Sequence, residues 1–290
     1  MRVVVVGAGA WGTAFSKVLR ERGHDVFVAR RATIDDAPYE EADLVVLAVP
    51  SHAFREAVAH ARGKAPVLSL SKGLDPQSGE RLSTLVQGRP IAVLSGPNMA
   101  DEVTDGLPSV AVIASQDHAL AERLQAAINS PIFRVYVQDD LVGVELCAAA
   151  KNVIALAAGG VDGLDLGDNS KASLITRGLA EMSRLGDAAG ARPETFAGLA
   201  GMGDLIVTCW SKHGRNRHAG ELIAQGRRPD EAIAEIGQTV EGITTAPALH
   251  ELSRRLHVEL PITEGVCAVL SGQSLTDLVS RLMGRQPTEE

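Results

Sequence analysis

The sequence has few aromatic residues, few cysteines and no excess of positive charge. Phe, Trp and Tyr make up only 3% of the 290 residues. The core must therefore be aliphatic and alanine-rich, which favours helices over a β-sandwich. The net charge of −8 argues against a general nucleic-acid or anionic-membrane binder. Basic residues that bind a ligand are thus expected at local sites.

The three cysteines, Cys147, Cys209 and Cys267, are widely separated along the chain. An odd number at such spacings forms neither a disulfide framework nor a Cys-x-x-Cys site. We therefore expect reduced thiols in a cytoplasmic protein, and no metal ion. The first apolar run begins directly after Met1, so no secretory signal peptide is expected.

One long apolar run, residues 141–158, has the composition of a membrane-spanning helix. Glu145, Lys151 and Asn152 interrupt this run, and hydrocarbon strongly disfavours such groups. The run therefore predicts a helix buried inside protein, without stable membrane insertion.

The first fifteen residues carry the clearest pattern in the chain. A β-branched run, Arg2–Val6, is followed by a glycine-rich turn and then by residues of helical composition. A strand, a glycine turn and a helix start in this order predict a dinucleotide-binding site rather than an ordinary turn. Gly7 permits the tight turn, Gly9 lets a pyrophosphate approach the backbone, and Gly12 lets the helix pack on the strand. The free backbone N–H groups at the helix start, from Ala10 onward, favour the binding of a phosphate group.

The second predicted strand, Asp25–Ala29, ends at Arg30 and Arg31. In this fold the end of strand two meets the adenosine ribose, where an acidic residue would accept hydrogen bonds from the 2′-hydroxyl. Here two guanidinium groups take that place and could pair with a 2′-phosphate, unless they are merely solvated. The pattern favours NADP(H) as the cofactor without excluding NAD(H).

Strands alternate with helices over the first half of the chain. Further strands are expected at residues 43–49, 67–70, 91–94, 109–114 and 133–137, and helices at residues 51–61, capped by Ser51, and 118–128. This order predicts an α/β fold with a doubly wound, Rossmann-type parallel sheet. Only ten residues, 32–41, separate the pair Arg30 and Arg31 from the third strand, so the usual crossover must be reduced there to a loop or a very short strand.

From about residue 140 the β-like runs stop and helical patterns follow. Helices are expected at residues 141–158, 171–189, 215–225, 229–236, 244–256, 263–270 and 275–283, with Pro247 in a first turn and a frayed tail at residues 286–290. The sequence thus predicts a dinucleotide-binding domain at residues 1–140 and an all-α C-terminal domain at residues 141–290, with a cleft between them.

Lys151 is the most informative single residue, because it lies in the middle of an apolar helix, where an amine is costly to bury. Burial lowers the pKa of a lysine toward neutrality, which suits proton transfer. The alternative is a lysine whose stem extends along the surface to water. Its neighbours Ala148, Ala149 and Ala150 give such a stem little to cover, so we interpret Lys151 as functional.

A second polar cluster follows at residues 201–217. If residues 204–208 are helical, Asp204 and Thr208 lie on one face, and a carboxylate beside Lys151 would favour the charged amine. Arg215 and Asn216, at a following helix start, combine a forked cation with free backbone N–H groups, which suits a phosphate. The alternative is that these residues only form a capped helix start, with the arginines exposed at the surface.

Several blocks resemble the substrate-domain and cofactor-domain signatures of the NAD(P)-dependent glycerol-3-phosphate dehydrogenases. The matching blocks are Ser71-Lys72-Gly73, Ser95-Gly96-Pro97, Lys151-Asn152-Val153-Ile154-Ala155, Gly159, Asp162-Gly163, Gly167-Asp168-Asn169, residues 174–182, Gly203-Asp204-Leu205, Thr208-Cys209, Arg215-Asn216-Arg217 and Val240-Glu241-Gly242. The resemblance extends from the first strand to about Leu270.

The resemblance implies reversible reduction of dihydroxyacetone phosphate to sn-glycerol 3-phosphate with NAD(P)H, which feeds glycerophospholipid synthesis. It implies that Lys151 is the general acid/base, which gives a proton to the carbonyl oxygen as hydride arrives. It implies substrate contacts for Lys72, Gly96, Asp204, Thr208, Arg215 and Asn216, the last two on the phosphate. Besides the glycine turn, it implies cofactor contacts for Trp11, Arg30, Arg31, Lys72, Gly96, Asn98, Ala100, Arg215, Val240 and Glu241. A homodimer is expected from the resemblance alone.

Two other functions stay open at this point. A reductase of the same two-domain build could act on a hydroxy acid or an imine, and its activity would not depend on Arg215. A redox-sensing module could bind NADP(H) without turnover, and it would not need Lys151.

Overall fold

The computed structural model describes residues 1–283, and the tail expected at residues 286–290 lies outside the described residues. The first half of the chain alternates strands with helices, as predicted. Its strands are β1 (Arg2–Val6), β2 (Asp25–Ala29), β3 (Leu44–Leu47), β4 (Val67–Ser69), β5 (Ile91–Ser95), β6 (Ser109–Ala114) and β7 (Phe133–Gln138). Its helices are α1 (Ala10–Glu21), α2 (Ser51–His60), α3 (Ala100–Thr104) and α4 (His118–Ile128).

The seven strands form one sheet in the order β2-β1-β3-β4-β5-β6-β7. Neighbouring strands are parallel, except for β5 and β6, which run antiparallel. The expectation of a wholly parallel sheet is wrong at this pair. Because β6 runs antiparallel, it starts at the end of the sheet where β5 stops, and the connecting segment with the five-residue helix α3 does not cross a face of the sheet as a parallel crossover would.

The connection between β2 and β3 is as short as predicted. It consists of two single 3₁₀ turns, Arg31–Thr33 and Tyr39–Glu41, with neither a long helix nor a strand. Strand β2 is consequently one edge of the sheet.

Helices cover both faces of the sheet, which confirms the doubly wound arrangement. Val3 and Val5 of β1 pack with Phe15 of α1 on one face. Val4 and Val6 of β1 pack with Phe54 of α2 on the other. The alternation follows from the strand geometry, in which successive side chains point to opposite faces.

The remainder of the described chain is helical, as predicted. Its helices are α5 (Leu141–Gly163), α6 (Gly167–Ala188), α7 (Pro193–Ala197), α8 (Asp204–Trp210), α9 (Arg215–Ala224), α10 (Pro229–Ile236), α11 (Glu241–Arg255), α12 (Pro261–Leu270) and α13 (Leu275–Met283), with a π-helical turn at Leu199–Gly203. Helix α5 is long and apolar enough to cross a membrane, but 89% of its apolar window is buried inside the protein. It is the core helix that the sequence predicted. The domain division at residue 140 stays a prediction.

Two local predictions are wrong. Pro247 does not lie in a first turn, because α11 already begins at Glu241. Burial of Ala246 and Leu249 in the helical core outweighs the hydrogen bond that an interior proline removes. Ser51 does not cap α2, because Pro50 holds the cap position and Ser51 is the first helical residue.

Candidate active site

The glycine turn after β1 has the geometry that a dinucleotide site requires. Gly7 has a φ of +113°, and a Cβ there would lie 2.3 Å from the carbonyl oxygen of Ala48. A Cβ at Gly12 would lie 2.1 Å from the carbonyl oxygen of Gly7. At Gly9, which precedes the first residue of α1, a Cβ would meet no atom within 4 Å. Packing therefore requires Gly7 and Gly12, whereas Gly9 leaves open space before the helix N-terminus that starts at Ala10.

A cleft of about 430 Å³ opens beside this turn. Its walls include Gly7 and Ala8 of the turn, Arg30 and Arg31 after β2, and Glu56 of α2. Both arginines are exposed. The cleft thus has part of the glycine turn and two guanidinium groups in its wall, which fits a dinucleotide phosphate group.

Two buried polar atoms near the carboxyl ends of β1 and β5 lack a hydrogen-bond partner within residues 1–283. They are Nε1 of Trp11 and Oδ1 of Asn98. The Trp11 ring packs on Phe15, with 5.9 Å between ring centroids, and Nδ2 of Asn98 donates to the carbonyl oxygen of Val110 at 2.9 Å. Ala100, at the start of α3, is half-buried. An unpaired donor and acceptor of this kind are groups that a polar ligand can satisfy.

The predicted burial of Lys151 is confirmed. Only 5% of the residue is exposed. Its Nζ donates to Oδ1 of Asp204 at 2.6 Å and to Oγ1 of Thr208 at 2.8 Å. Residues 204–208, which the sequence reasoning only assumed to be helical, form the first part of α8. It is this helix that turns Asp204 and Thr208 toward Lys151 together.

The Asp204 carboxylate binds a second ammonium group, that of Lys72. Lys72 follows β4, and its Nζ donates to Oδ2 of Asp204 at 2.7 Å and to the carbonyl oxygen of Gly96 at 3.2 Å. The hydroxyl of Ser95, the last residue of β5, donates to the same Oδ2 at 3.3 Å. The polar cluster therefore lies where the carboxyl ends of β4 and β5 meet α5 and α8, which is where open α/β sheets bind ligands.

The cluster adjusts the protonation of Lys151. Burial lowers the pKa of Lys151 to about 7, Asp204 opposes this shift, and the like charge of Lys72 adds to it. Burial alone would raise the pKa of Asp204, but the ammonium groups of Lys151 and Lys72 outweigh burial and lower it. Near neutral pH, Lys151 can therefore both give and accept a proton, while Asp204 stays ionised.

Helix α9 begins at Arg215, as the sequence predicted. Arg215 is exposed, and its Nη1 donates to the carbonyl oxygen of Thr239 at 3.0 Å. Asn216 is buried. Its Nδ2 donates to Oδ1 of Asn152 at 2.9 Å, and its Oδ1 accepts the N–H of Gly242 at 2.8 Å. Asn216 is thus tied to the residue that follows Lys151, and the neighbouring Arg215 presents a cation to solvent.

Glu241 joins the two halves of the protein close to the glycine turn. Its carboxylate accepts the N–H of Ser51 at 3.1 Å and the Ser51 hydroxyl at 2.7 Å. Burial raises the pKa of Glu241. The preceding Val240 is only 2% exposed, and its side chain packs in the helical core. Of these two predicted cofactor contacts, Glu241 reaches the β3–α2 turn and the Val240 side chain does not.

Ser95, which donates to Asp204, and Asn152, which accepts from Asn216, stand in the matching sequence blocks, but the sequence predicts a site role for neither. Ser95 precedes Gly96, and Asn152 follows Lys151, so each lies next to a predicted site residue. This adjacency is the signal that could have identified them.

Two family models match the chain. The NAD-dependent glycerol-3-phosphate dehydrogenase N-terminus matches residues 30–121, and the NAD-dependent glycerol-3-phosphate dehydrogenase C-terminus matches residues 140–280. The first match covers strands β3 to β6 of the sheet, and the second covers the helical half from α5 through α12.

Full-length relatives and a solved structure agree with these matches. Glycerol-3-phosphate dehydrogenase (NAD(P)+) of Desulfitobacterium hafniense is 42% identical, over 100% of this chain and 93% of that protein. The protein of the same name from Chlorobium phaeobacteroides is 39% identical, over 100% of this chain and 99% of that protein. The crystal structure of glycerol-3-phosphate dehydrogenase from Coxiella burnetii has a TM-score of 0.91 and 33% identity, covering 98% of this chain and 99% of that one. The chain therefore belongs to the NAD(P)-dependent glycerol-3-phosphate dehydrogenase family.

Proposed function

We propose that this protein reversibly reduces dihydroxyacetone phosphate to sn-glycerol 3-phosphate with NAD(P)H and so supplies glycerophospholipid synthesis. The observation that carries the proposal is the buried amine of Lys151, with a pKa of about 7, held by Asp204 and Thr208 beside the carboxyl ends of the strands. The names of the relatives from Desulfitobacterium hafniense and Chlorobium phaeobacteroides support this substrate.

The residues around the glycine turn fit a nicotinamide dinucleotide. The open space at Gly9 leaves room for a pyrophosphate at the helix N-terminus. Arg30 and Arg31, in the wall of the adjoining cleft, would pair with a 2′-phosphate and favour NADP(H). The unpaired Nε1 of Trp11 and Oδ1 of Asn98 are available to its polar groups. When bound, the dinucleotide supplies the hydride that reduces the substrate carbonyl carbon.

Lys151 provides the proton of the same reaction. In the direction of reduction its ammonium form gives a proton from Nζ to the carbonyl oxygen, and in oxidation the neutral amine takes a proton from the hydroxyl group. A pKa of about 7 keeps both forms accessible near neutrality. Asp204 holds the amine in place through a 2.6 Å hydrogen bond. Lys72, on the other oxygen of the same carboxylate, brings a second positive charge close to the oxygen that becomes negative.

The phosphate of the substrate is bound at the start of α9. The Arg215 guanidinium and the first-turn N–H groups of α9 supply charge-assisted hydrogen bonds. Asn216 contributes its second amide N–H, since its first is donated to Asn152. Gly96, whose carbonyl oxygen accepts the Lys72 ammonium, lies on the sheet side of the bound substrate.

One assay tests this proposal against the other two functions. NADPH and NADH oxidation is followed with dihydroxyacetone phosphate, free dihydroxyacetone, 2-keto acids and imines. We expect oxidation with dihydroxyacetone phosphate and much slower oxidation with the unphosphorylated ketone. Faster turnover of a keto acid or an imine would indicate the related reductase. Tight NADPH binding without any turnover would indicate the sensor.

The proposal extends to a homodimer in the cytoplasm, without membrane insertion. Met202, Ile206 and Trp210 follow one another at four-residue spacing and are 40%, 46% and 48% exposed, and exposed apolar patches mark association surfaces. Light scattering on the purified protein should give twice the monomer mass, and Ile206→Glu should give the monomer mass. A wild type with the monomer mass would contradict the proposed homodimer. The buried free thiols of Cys147 and Cys209 suit a reducing compartment.

A further inference from the structure

The segment between β4 and β5 is docked on the helical half. Leu74 is buried among residues of the helical core. Arg255 of α11 donates to Oε1 of Glu80 at 2.8 Å and to the carbonyl oxygen of Gly79 at 3.1 Å. Lys72 lies at the start of this segment. The position of its ammonium group therefore depends on how the segment is docked.

The firmest attachment of the segment is to Glu145 of α5. This residue is 5% exposed. Its carboxylate accepts the N–H and the hydroxyl of Ser83 at 2.8 and 2.5 Å and Nη1 of Arg81 at 2.8 Å. Three donors from one segment converge on a single buried carboxylate, on the same helix that carries Lys151. A buried carboxylate satisfied in this way fixes the position of its donors, because leaving the carboxylate unpaired in the interior would be costly.

We propose that Glu145 is a positioning residue of the active site, which docks the β4–β5 segment on α5 so that Lys72 shares the Asp204 carboxylate with Lys151. The proposal rests on the proposed roles of Lys72 and Lys151. It assigns Glu145 no contact with substrate or cofactor. Its effect reaches the reaction through Lys72 alone.

The charges around Lys151 make the positioning role of Glu145 measurable as a change in the pKa of Lys151. Asp204 faces Lys151 from α8, and Lys72 faces it from the β4–β5 segment. The thiols of Cys147 on α5 and Cys209 on α8 are neutral, because burial raises their pKa. If the segment is released, the like charge of Lys72 moves away and Asp204 pairs with Lys151 alone. Both changes favour the charged form of Lys151.

The experiment is an NMR titration of the Lys151 amine in protein labelled at the lysine ε-carbon, which needs no turnover. Lys151→Met identifies the signal. In Glu145→Gln we expect the Lys151 midpoint to rise by about one pH unit. The variant should also lose about tenfold in kcat/KM for dihydroxyacetone phosphate, with KM for NADPH changed less than about twofold. Arg81→Met, which weakens the same attachment from the segment side, should reproduce the shift.

The control is Glu181→Gln. Glu181 is another buried carboxylate of the helical half, which accepts the N–H groups of Ile262 and Thr263 and, within residues 1–283, no hydrogen bond from the β4–β5 segment. Its variant should melt at a lower temperature and keep the wild-type Lys151 midpoint. An unmoved midpoint in both Glu145→Gln and Arg81→Met would overturn the proposal, and so would an equal shift in Glu181→Gln. A wild type that titrates as described without reducing dihydroxyacetone phosphate would contradict the proposed function and leave this test intact.

Discussion

The ammonium groups of Lys151 and Lys72 share one buried carboxylate. Oδ1 of Asp204 accepts the first at 2.6 Å and Oδ2 accepts the second at 2.7 Å. Two positive charges of this kind would repel one another in a low-dielectric interior without the intervening negative charge. Asp204 therefore both stabilises the packing of α8 on α5 and sets the protonation of the proposed acid.

Removing that carboxylate should damage stability and activity together. Asp204→Asn leaves two ammonium groups without a counter-charge, which costs about 3–5 kcal/mol in unfolding free energy. The pKa of Lys151 should fall below its wild-type value of about 7, and turnover should drop about a hundredfold. Urea unfolding and kcat measure the two effects. Asp139→Asn is the control, because Asp139 pairs with Arg192 at the exposed surface. A variant at Asp204 as stable and active as Asp139→Asn would contradict the assignment.

The glycines of the turn should separate folding from binding. An alanine at Gly9 meets no atom within 4 Å in the protein alone and keeps an ordinary φ of −70°. Gly9→Ala should fold with wild-type stability and lose at least about tenfold in NADPH affinity. Gly12→Ala places a methyl group against the Gly7 carbonyl oxygen and should lower the melting temperature. Equal NADPH affinity in Gly9→Ala and the wild type would exclude a pyrophosphate at this position.

Arg30 should determine how well the protein binds a 2′-phosphate. Arg30→Glu replaces an attractive charge by a repulsive one, so NADPH affinity should fall by about ten- to a hundredfold. NADH affinity should change little. Arg62→Glu makes the same charge change in an exposed residue outside the cleft walls and should leave both affinities unchanged. Fluorescence titration with each cofactor measures them. Intact NADPH affinity in Arg30→Glu would refute the proposed preference for NADP(H).

Arg215 should control the use of a phosphorylated substrate. Arg215→Ala removes the exposed cation at the start of α9, so KM for dihydroxyacetone phosphate should rise about ten- to a hundredfold. KM for NADPH should rise less. Arg228→Ala, at the cap of α10, is the matched control and should change neither constant. A variant at Arg215 with wild-type KM for the phosphate would favour a reductase for an unphosphorylated substrate.

Local sequence patterns predicted the elements whose formation depends on residues close together in the chain. The β-branched run of β1 and the glycines at its end indicated the sheet and the turn, because local packing requires a glycine at positions 7 and 12. The apolar run of α5 indicated a buried helix, and the lysine inside it indicated a perturbed amine. The four-residue spacing of Asp204 and Thr208 indicated a shared face once α8 was assumed to be helical.

Contacts between residues far apart in the chain could not be predicted from local sequence patterns. Ser51 and Glu241 are 190 residues apart, and Glu145 meets Ser83 across 62 residues. No periodic pattern in the sequence indicates that such residues are in contact. Nothing in the composition of the segment between β5 and β6 indicates the antiparallel direction of β6. Pro247 is accommodated inside α11 because tertiary packing outweighs a local preference that predicts a helix start.

The most direct measurement is the pH dependence of dihydroxyacetone phosphate reduction in the wild type and in Lys151→Ala. Reduction needs the ammonium form of Lys151, so wild-type kcat/KM should be constant at low pH and fall above about pH 7. Oxidation of sn-glycerol 3-phosphate needs the neutral amine and should rise through the same pH. Lys151→Ala should lose at least about a thousandfold in turnover at every pH, with NADPH affinity nearly unchanged. Wild-type turnover and an unchanged pH profile in Lys151→Ala would contradict the central claim.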